Sequence, residues 1–168
     1  MTDRRKAEPQ PQPSEQAMAR IAALGTILKR SESAGALSQL SALVLRMDRH
    51  DNDRDAPIRE VMARLGDRWS TLILLLLSAG TFRHAELRRL VAAMSAERAI
   101  SQRMLTLRLR ALERDGMVER KVTPTVPPRV DYALTRMGSE FVRLVDGLLV
   151  WIEAHHDEVL ASRARFDP

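Results

Sequence analysis

Residues 101–134 decide the fold, because the hydrophobic period changes inside this stretch, which reads SQRMLTLRLRALERDGMVERKVTPTVPPRVDYAL. In its first part apolar residues recur at helical spacing, and Gly116 is typical of a residue that follows a helix. The period then becomes two, which predicts strands over 117–122 and 130–134. The connection 123–129 contains three prolines, so it is stiff and cannot pair in a sheet. The predicted unit is a helix followed by a β-hairpin.

Upstream of this unit the pattern predicts more helices and one extended piece. In chain order these elements are helix 58–65, helix 68–78, extended residues 81–83, and helix 84–91 with a continuation to Met94. Pro57 suits the first turn of the first helix, and Gly66 ends it. Asp67 is the predicted N-cap of helix 68–78, which has almost no polar face and is therefore expected to be buried.

Downstream, residues 137–162 are predicted to form one long helix. Its apolar stripe consists of Phe141, Leu144, Val145, Leu148, Leu149, Ile152 and Val159, with Trp151 beside it. Taken together, the order of elements is helix, helix, short strand, helix, helix, strand, loop, strand and long helix. This order predicts a winged helix-turn-helix, a mainly α fold with a small β-hairpin wing.

The N-terminal third carries no chemical motif. The Pro-rich residues 1–13 are predicted to be a disordered leader, and Ser14 is the predicted N-cap of a helical stretch that Gly35 divides in two. Residues 50–55 then form a polar linker. We therefore divide the chain into a leader (1–13), a helical N-terminal extension with its linker (14–55), a winged helix-turn-helix domain (56–135), and a C-terminal dimerisation helix with its tail (136–168).

The basic charge is concentrated in the middle of the chain. The whole sequence has a net charge of +5, whereas residues 56–135 alone hold 14 basic and 8 acidic side chains, a net of +6. The flanking parts have net charges of +1 and −2. A basic centre between nearly neutral ends is typical of a module that binds a polyanion, although an Arg-rich solvated surface would look the same.

Several classes of protein are excluded or disfavoured. Without cysteine there is no disulfide, no thiolate zinc site and no thiol redox sensor. The N-terminus lacks the apolar segment of a signal peptide, and the longest apolar run, 72–77, is too short to span a membrane, so we expect a cytoplasmic protein. His155 and His156 point about 100° apart on a helix and cannot easily share a metal. We find no enzyme motif and expect no cofactor and no metal.

Residues 56–135 resemble the HxlR family of bacterial winged-helix transcriptional regulators, relatives of the MarR group. The stretches that carry the resemblance are 57–61 (PIREV), 66–70 (GDRWS) with 72–74 (LIL), Phe82 with 86–89 (ELRR), 100–106 (ISQRMLT), 109–113 (LRALE) with 115–116 (DG), and 126–135 (VPPRVDYALT). Their order and spacing are more specific than any one of them. The resemblance implies a dimeric regulator, a repressor or an activator, that binds double-stranded DNA at an inverted repeat.

The sequence departs from the family pattern in three places. Ala56 stands where family members usually carry a cysteine just before the Pro-Ile pair, so thiol sensing does not carry over. Between Arg89 and Ile100 the chain is about six residues longer than the usual family spacing. Residues 1–50 have no counterpart in the family's short N-terminus, and their role is open.

Helix 101–113 is the predicted reading helix in the major groove. An angular plot at 100° per residue places Ile100, Met104, Leu105, Leu107, Leu109, Ala111 and Leu112 on an arc that faces the core. The opposite arc holds Gln102, Arg103, Thr106, Arg110 and Glu113. We assign Gln102, Arg103 and Thr106 to base edges, Arg110 to phosphate, and Ser101 to the N-cap with its hydroxyl near a phosphate. The alternative is an ordinary solvated helix face.

Further basic residues outside the reading helix are candidates for DNA contacts. In the wing, 123–130, Arg129 follows two prolines and is positioned to enter a narrow minor groove. Arg120 and Lys121 on the hairpin either contact phosphate or only keep the strand soluble. The same two possibilities hold for Arg88, whereas Arg68 is a phosphate candidate at a helix start.

Two alternative functions remain open from the sequence. One is a winged-helix protein-interaction module that does not bind DNA, although the net charge of the domain argues against it. The other is a DNA-binding regulator that also holds a small-molecule effector between the dimer helices, where the Met- and Leu-rich faces would permit a pocket but are equally well explained by packing.

Overall fold

The computed structural model describes residues 12–28, 34–49, 56–95, 100–126 and 128–166. Within these ranges the chain forms eight helices and three strands. In chain order they are α1 (Glu15–Leu28), α2 (Ala34–Asp48), α3 (Pro57–Gly66), α4 (Arg68–Ser78), β1 (Phe82–Arg83), α5 (His84–Met94), α6 (Gln102–Arg114), β2 (Val118–Thr123), β3 (Arg129–Leu134), α7 (Arg136–Ala154) and α8 (His156–Phe166). The fold is mainly helical with a small sheet, as the sequence predicts.

The chain divides into two compact units, Met1–Met62 and Ala63–Pro168. The division lies within α3, seven residues after the boundary at 55/56 that composition suggests. The four-part division of the chain given above stays a prediction, and its leader (1–13) and linker (50–55) lie almost wholly outside the described residues.

The first unit contains the pair of helices α1 and α2. Ser14 caps α1 as predicted, because its Oγ accepts a hydrogen bond from the backbone N–H of Ala17 at 3.1 Å. The same residue binds the end of α2: its Oγ lies 2.5 Å from Asp48 Oδ1 and its backbone N–H 2.8 Å from Asp48 Oδ2. The prediction that Gly35 separates the helices is wrong, since Gly35 lies in the first turn of α2.

The core of the second unit is formed by α4, α5, α6 and the sheet. Asp67 is the N-cap of α4, as predicted, and accepts from the backbone N–H of Ser70 at 3.1 Å. Side chains from the three helices meet there with almost no solvent exposure, and the largest of them are Ile73, Leu74, Leu87, Val91, Leu105, Leu109 and Leu112. This aliphatic core holds α6 against α4 and α5.

The sheet is antiparallel with strand order β1-β3-β2. Strands β2 and β3 pair from Val118 opposite Leu134 to Thr123 opposite Arg129, within one residue of the predicted bounds. The extended piece predicted at 81–83 is confirmed as strand β1, which pairs Phe82 with Tyr132. The hairpin is therefore connected to the start of α5.

Helix α7 is joined tightly to the turn that follows α6. Gly116 has a φ of 71°, a left-handed conformation that lets the chain turn from α6 into β2. Thr135 caps α7 by accepting from the N–H of Gly138 at 3.0 Å, and its hydroxyl donates to the Gly116 carbonyl at 2.7 Å. The beginning of α7 is thus held against the beginning of β2.

The prediction of one uninterrupted helix over 137–162 is wrong. Helix α7 ends at Ala154, and α8 begins at His156. At His155 (φ −108°, ψ 10°) the ring stacks on Trp151 at 4.4 Å, and its Nδ1 donates to the Trp151 carbonyl at 2.8 Å. The irregularity is confined to this residue, because the backbone N–H of His155 still donates to the Trp151 carbonyl at 3.2 Å and that of Val159 to the His155 carbonyl at 3.0 Å.

Candidate nucleic-acid interface

Helix α6 begins at a capped end and is anchored along one face. The Ser101 hydroxyl accepts from the backbone N–H of Met104 at 3.2 Å, which confirms Ser101 as the N-cap. Further along α6, the side chain of Arg108 extends to Asp67, the capping residue of α4. The Arg108 Nε lies 3.1 Å from Asp67 Oδ2, without hydrogen-bond geometry. With its apolar face buried, α6 is fixed in rotation and exposes the opposite face.

The polar residues predicted to read DNA lie on the exposed face of α6. Gln102, Arg103, Thr106 and Arg110 are all exposed. Arg110 Nη1 lies 3.1 Å from Glu113 Oε2, an ion pair along the helix. Within the described part of the chain, the side chains of Gln102 and Arg103 have no hydrogen-bond or ion-pair partner. The structure therefore brings the predicted residues together on one surface, and their contact with DNA stays a prediction.

The placement of Leu107 on the core-facing arc is wrong. Its side chain is 52% exposed and lies on the polar face. The angle explains the difference: Leu107 is two residues after Leu105, and two residues correspond to about 200° on a helix. Since Leu105 is fully buried, Leu107 must point away from the core.

His84, at the start of α5, contacts the reading helix. Its Nε2 lies 3.1 Å from Thr106 Oγ1, and the Thr106 hydroxyl donates to the Gln102 carbonyl at 2.9 Å. The hydroxyl proton is thus used within α6, so the His84 Nε2–H is the donor to Thr106. The His84 ring also lies 6.5 Å from the ring of Tyr132 on β3. One side chain therefore connects α5, α6 and the sheet at the exposed face.

Burial lowers the pKa of His84 below its ordinary value, and the guanidinium of Arg88 lowers it further. Because His84 binds a proton more readily in the unfolded chain, its neutral form favours the folded state. This contribution to the free energy of unfolding is present above the ordinary pKa of histidine and is lost as the pH falls. We expect the wild-type melting temperature to fall more than that of His84→Gln between about pH 7.5 and about pH 5.5. Thermal unfolding followed by circular dichroism measures this difference, and equal falls in both proteins would contradict it.

The wing carries basic residues around one acidic side chain. Arg129 Nε lies 2.8 Å and 3.0 Å from the two oxygens of Asp131, whose residue is only 9% exposed. Arg83 of β1 approaches the same carboxylate at 3.9 Å. Lys121 is exposed and Arg120 half-buried on β2. The pair with Asp131 fixes the guanidinium of Arg129 beside the sheet, with about half of its side chain still exposed.

The remaining two candidates lie on α4 and α5. Arg88 is exposed one helical turn after His84, close enough to lower the pKa of that histidine. Arg68 lies at the start of α4 with its guanidinium 5.4 Å from the centre of the Trp69 ring. Arg88 therefore belongs to the surface around Thr106.

The described residues offer neither a metal site nor a transmembrane segment. No group of three or more His, Asp or Glu side chains is positioned to hold a metal ion in these ranges. Among the described helices, none combines the length and the hydropathy needed to cross a bilayer.

Comparison with known proteins identifies the domain built around this surface. The model of the HxlR-like helix-turn-helix family matches residues 64–159. This chain belongs to the HxlR-like family. It is therefore a helix-turn-helix transcriptional regulator and not an enzyme, and the family implies DNA binding.

The HxlR-like relatives match most of their own length. The uncharacterised HTH-type transcriptional regulator YtfH of Escherichia coli K12 is 42% identical over 107 residues, which are 64% of this chain and 80% of that protein. Among solved structures, YtfH from Salmonella typhimurium is 39% identical with a TM-score of 0.55, covering 68% of this chain and 96% of its own. The redox regulator HypR in its reduced form is 34% identical with a TM-score of 0.54, covering 63% and 99%.

This HxlR-like chain cannot use cysteine chemistry. It contains no cysteine, so no thiol redox sensor is available to it. The first 63 residues, which include Ala56, lie outside the matched range. Of the residues between Arg89 and Ile100, where an insertion relative to the family spacing is predicted, residues 90–94 belong to α5 and residues 96–99 lie outside those described.

Three residues at the surface of this HxlR-like domain were not predicted from sequence. Leu107 is recoverable from helical angles alone, once Leu105 is taken as the centre of the buried face. His84 and Arg83 carry no such signal, because their neighbours Thr106 and Asp131 lie 22 and 48 positions away in sequence. The pairing of β1 with β3 brings Arg83 beside Asp131, and His84 follows directly at the start of α5, where it contacts Thr106.

Proposed function

We propose that this regulator is a homodimer that binds an inverted repeat in double-stranded DNA. In this proposal the exposed face of α6 lies in the major groove, and the wing contacts the backbone or the minor groove. Two copies on adjacent half-sites provide the specificity that one helix alone cannot reach.

The observation that carries the proposal is the exposed face of α6. Gln102 and Arg103 are exposed in the first turn, where a reading helix approaches the bases. Among the described residues neither side chain has a hydrogen-bond or ion-pair partner. Arginine and glutamine can bind guanine and adenine edges through two hydrogen bonds each. Two such groups, exposed in the first turn of a helix whose opposite face is buried in the core, are well placed to recognise base edges directly.

The proposed contacts with the DNA backbone and the minor groove come from side chains outside the base-reading pair. We assign phosphate contacts to Ser101 and Arg110 of the reading helix, Arg88 of α5, Arg120 and Lys121 of the hairpin, and Arg68 at the start of α4, and we assign Arg129 to the minor groove. The net charge of +6 over residues 56–135 supports a polyanionic partner. It argues against a protein-interaction module that does not bind DNA.

The proposed dimer contact is the exposed apolar face of α7. Leu144, Leu148 and Trp151 follow one another at spacings of four and three residues, and their side chains are 73%, 47% and 55% exposed. Val142 and Val145 on the neighbouring face are buried in the domain. An exposed apolar stripe along a helix is typical of a protein–protein interface, and a second copy of α7 would cover it.

Two arginine variants test the assignment of the interface. Arg103→Ala is expected to lower operator affinity by about 10-fold or more and to relax base preference at one position of each half-site, because a bidentate base contact is lost. Arg129→Ala is expected to lower affinity for all sequences and to reduce the salt dependence of binding. Gel-shift titrations at several salt concentrations, with sites selected from random duplex DNA, measure both effects.

Arg165→Ala is the matched control for these variants, since it removes the same charge from an exposed position of α8, outside the proposed interface. Its affinity and base preference are expected to equal those of the wild type. Unchanged binding by both Arg103→Ala and Arg129→Ala would refute the assignment. Wild-type binding that is weak and insensitive to salt would instead favour the protein-interaction module.

A further inference from the structure

Leu107 is an exposed apolar residue at the edge of the polar reading face, next to Arg103. It follows Arg103 by four residues and precedes Arg110 by three, so the three side chains are neighbours on one side of α6. Its side chain is 52% exposed, whereas Leu105 and Leu109 on the opposite side are at most 1% exposed. The core of the domain therefore does not use Leu107.

The position of Leu107 along the helix places it within reach of base edges. It is the sixth residue of α6, one turn beyond Arg103, and lies in the half of the helix that begins at the Ser101 cap. In helix-turn-helix proteins the N-terminal part of the reading helix contacts the bases. If α6 lies in the major groove with Arg103 at a base pair, Leu107 faces the groove floor as well.

The major groove offers an isobutyl group only one chemical match. The edges of guanine, cytosine and adenine present hydrogen-bonding groups there, whereas thymine presents its C5-methyl beside an acceptor. Leucine against a donor or acceptor would remove water from that group and form no hydrogen bond in return. Against the thymine methyl it buries apolar surface on both sides.

We propose that Leu107 selects thymine at one position of each half-site through contact with the C5-methyl. This inference rests on the proposed DNA-binding function and adds to it a specificity-determining residue. The other face residues read hydrogen-bonding groups, so Leu107 would be the part of this surface that recognises a methyl group.

The test removes the methyl from the DNA and the isobutyl group from the protein. Sites are selected from random duplex DNA with the full-length wild-type protein, and each thymine is then replaced by deoxyuracil, which differs only in lacking the C5-methyl. We expect one thymine per half-site at which this replacement lowers wild-type affinity by about 3- to 10-fold. With Leu107→Ala the same replacement is expected to change affinity by less than about 2-fold.

Gln102→Ala is the matched control, because it removes another side chain of the same face and is expected to keep the sensitivity to deoxyuracil. A wild-type protein that binds its selected sites but is insensitive to deoxyuracil at every thymine would overturn the inference and leave the proposed function intact. Sensitivity that persists in Leu107→Ala would overturn it as well. If no duplex is enriched by the wild type, the proposed function and this inference both fail.

Discussion

Gly138→Ala is expected to destabilise the winged-helix unit by at least about 3 kcal/mol, a loss of more than about 10 °C in melting temperature. A Cβ at this position would overlap the backbone carbonyl oxygen of Met117 and lie 2.9 Å from its carbon, with the Leu134 side chain at 3.3 Å. The Met117 carbonyl has little room to move, because it accepts the backbone N–H of Thr135 at 3.1 Å. Thermal or urea unfolding followed by circular dichroism measures the loss.

Gly147→Ala is the matched control within the same helix, measured at a protein concentration low enough to keep the chain monomeric because Gly147 lies beside Leu144 and Leu148 on the proposed dimer face. Within one copy a Cβ at Gly147 meets no atom within 4 Å, so the substitution only adds helix propensity, by up to about 1 kcal/mol. Its melting temperature is expected to equal or exceed that of the wild type. If Gly138→Ala and Gly147→Ala unfold at the same temperature, the close contact between α7 and the start of β2 does not limit stability.

Leu144→Glu combined with Leu148→Glu is expected to convert the proposed dimer into a monomer and to lower operator affinity by about 10²- to 10⁴-fold. Both side chains are exposed on α7, so the charges do not enter the core of the domain. They would, however, face equal charges and an apolar surface on the second copy. Sedimentation equilibrium measures the mass, and a gel-shift titration on the selected inverted repeat measures the affinity.

Met94→Glu is the control for this double variant. Met94 is an exposed apolar residue at the end of α5, outside the proposed contact, so its replacement introduces a similar charge without affecting the dimer mass. A double variant that keeps the mass of a dimer would show that another surface joins the two copies. A wild type that sediments as a monomer at micromolar concentration would contradict the homodimer itself.

Most elements of the winged-helix unit follow from local sequence signals. The caps at Asp67 and Ser101 were predictable because a short polar side chain before an apolar helical pattern satisfies the free N–H groups of the first turn. The β-hairpin was predictable because its residues alternate between the two faces of a sheet. These signals act within one helical turn or one strand, so the chain does not need its tertiary structure to express them.

The wrong predictions concern the ends of helices, at Gly35 and His155, and the choice between the buried and the exposed face of α6, at Leu107. The break at His155 is confined to one residue whose ring stacks on Trp151, an arrangement that the apolar stripe alone does not reveal. A helix break at Gly35 is the wrong prediction because a glycine in the first turn of a helix costs little stability. The assignment of Leu107 to the core is wrong because the apolar residues of α6 cover a wider arc of the helix than the domain can bury. The buried face is centred on Leu105 and does not extend to Leu107.

From the sequence alone follow the order of elements as far as β3, the caps at Ser14, Asp67 and Ser101, the basic charge of the central domain and the absence of thiol chemistry. Each of these depends on composition or on neighbours a few residues apart. The tertiary structure decided which α6 side chains are exposed, that His84 donates to Thr106, and that the stripe on α7 remains uncovered within the unit described. Those features depend on contacts between residues far apart in the chain, whose distances are set only when the helices pack around a common core.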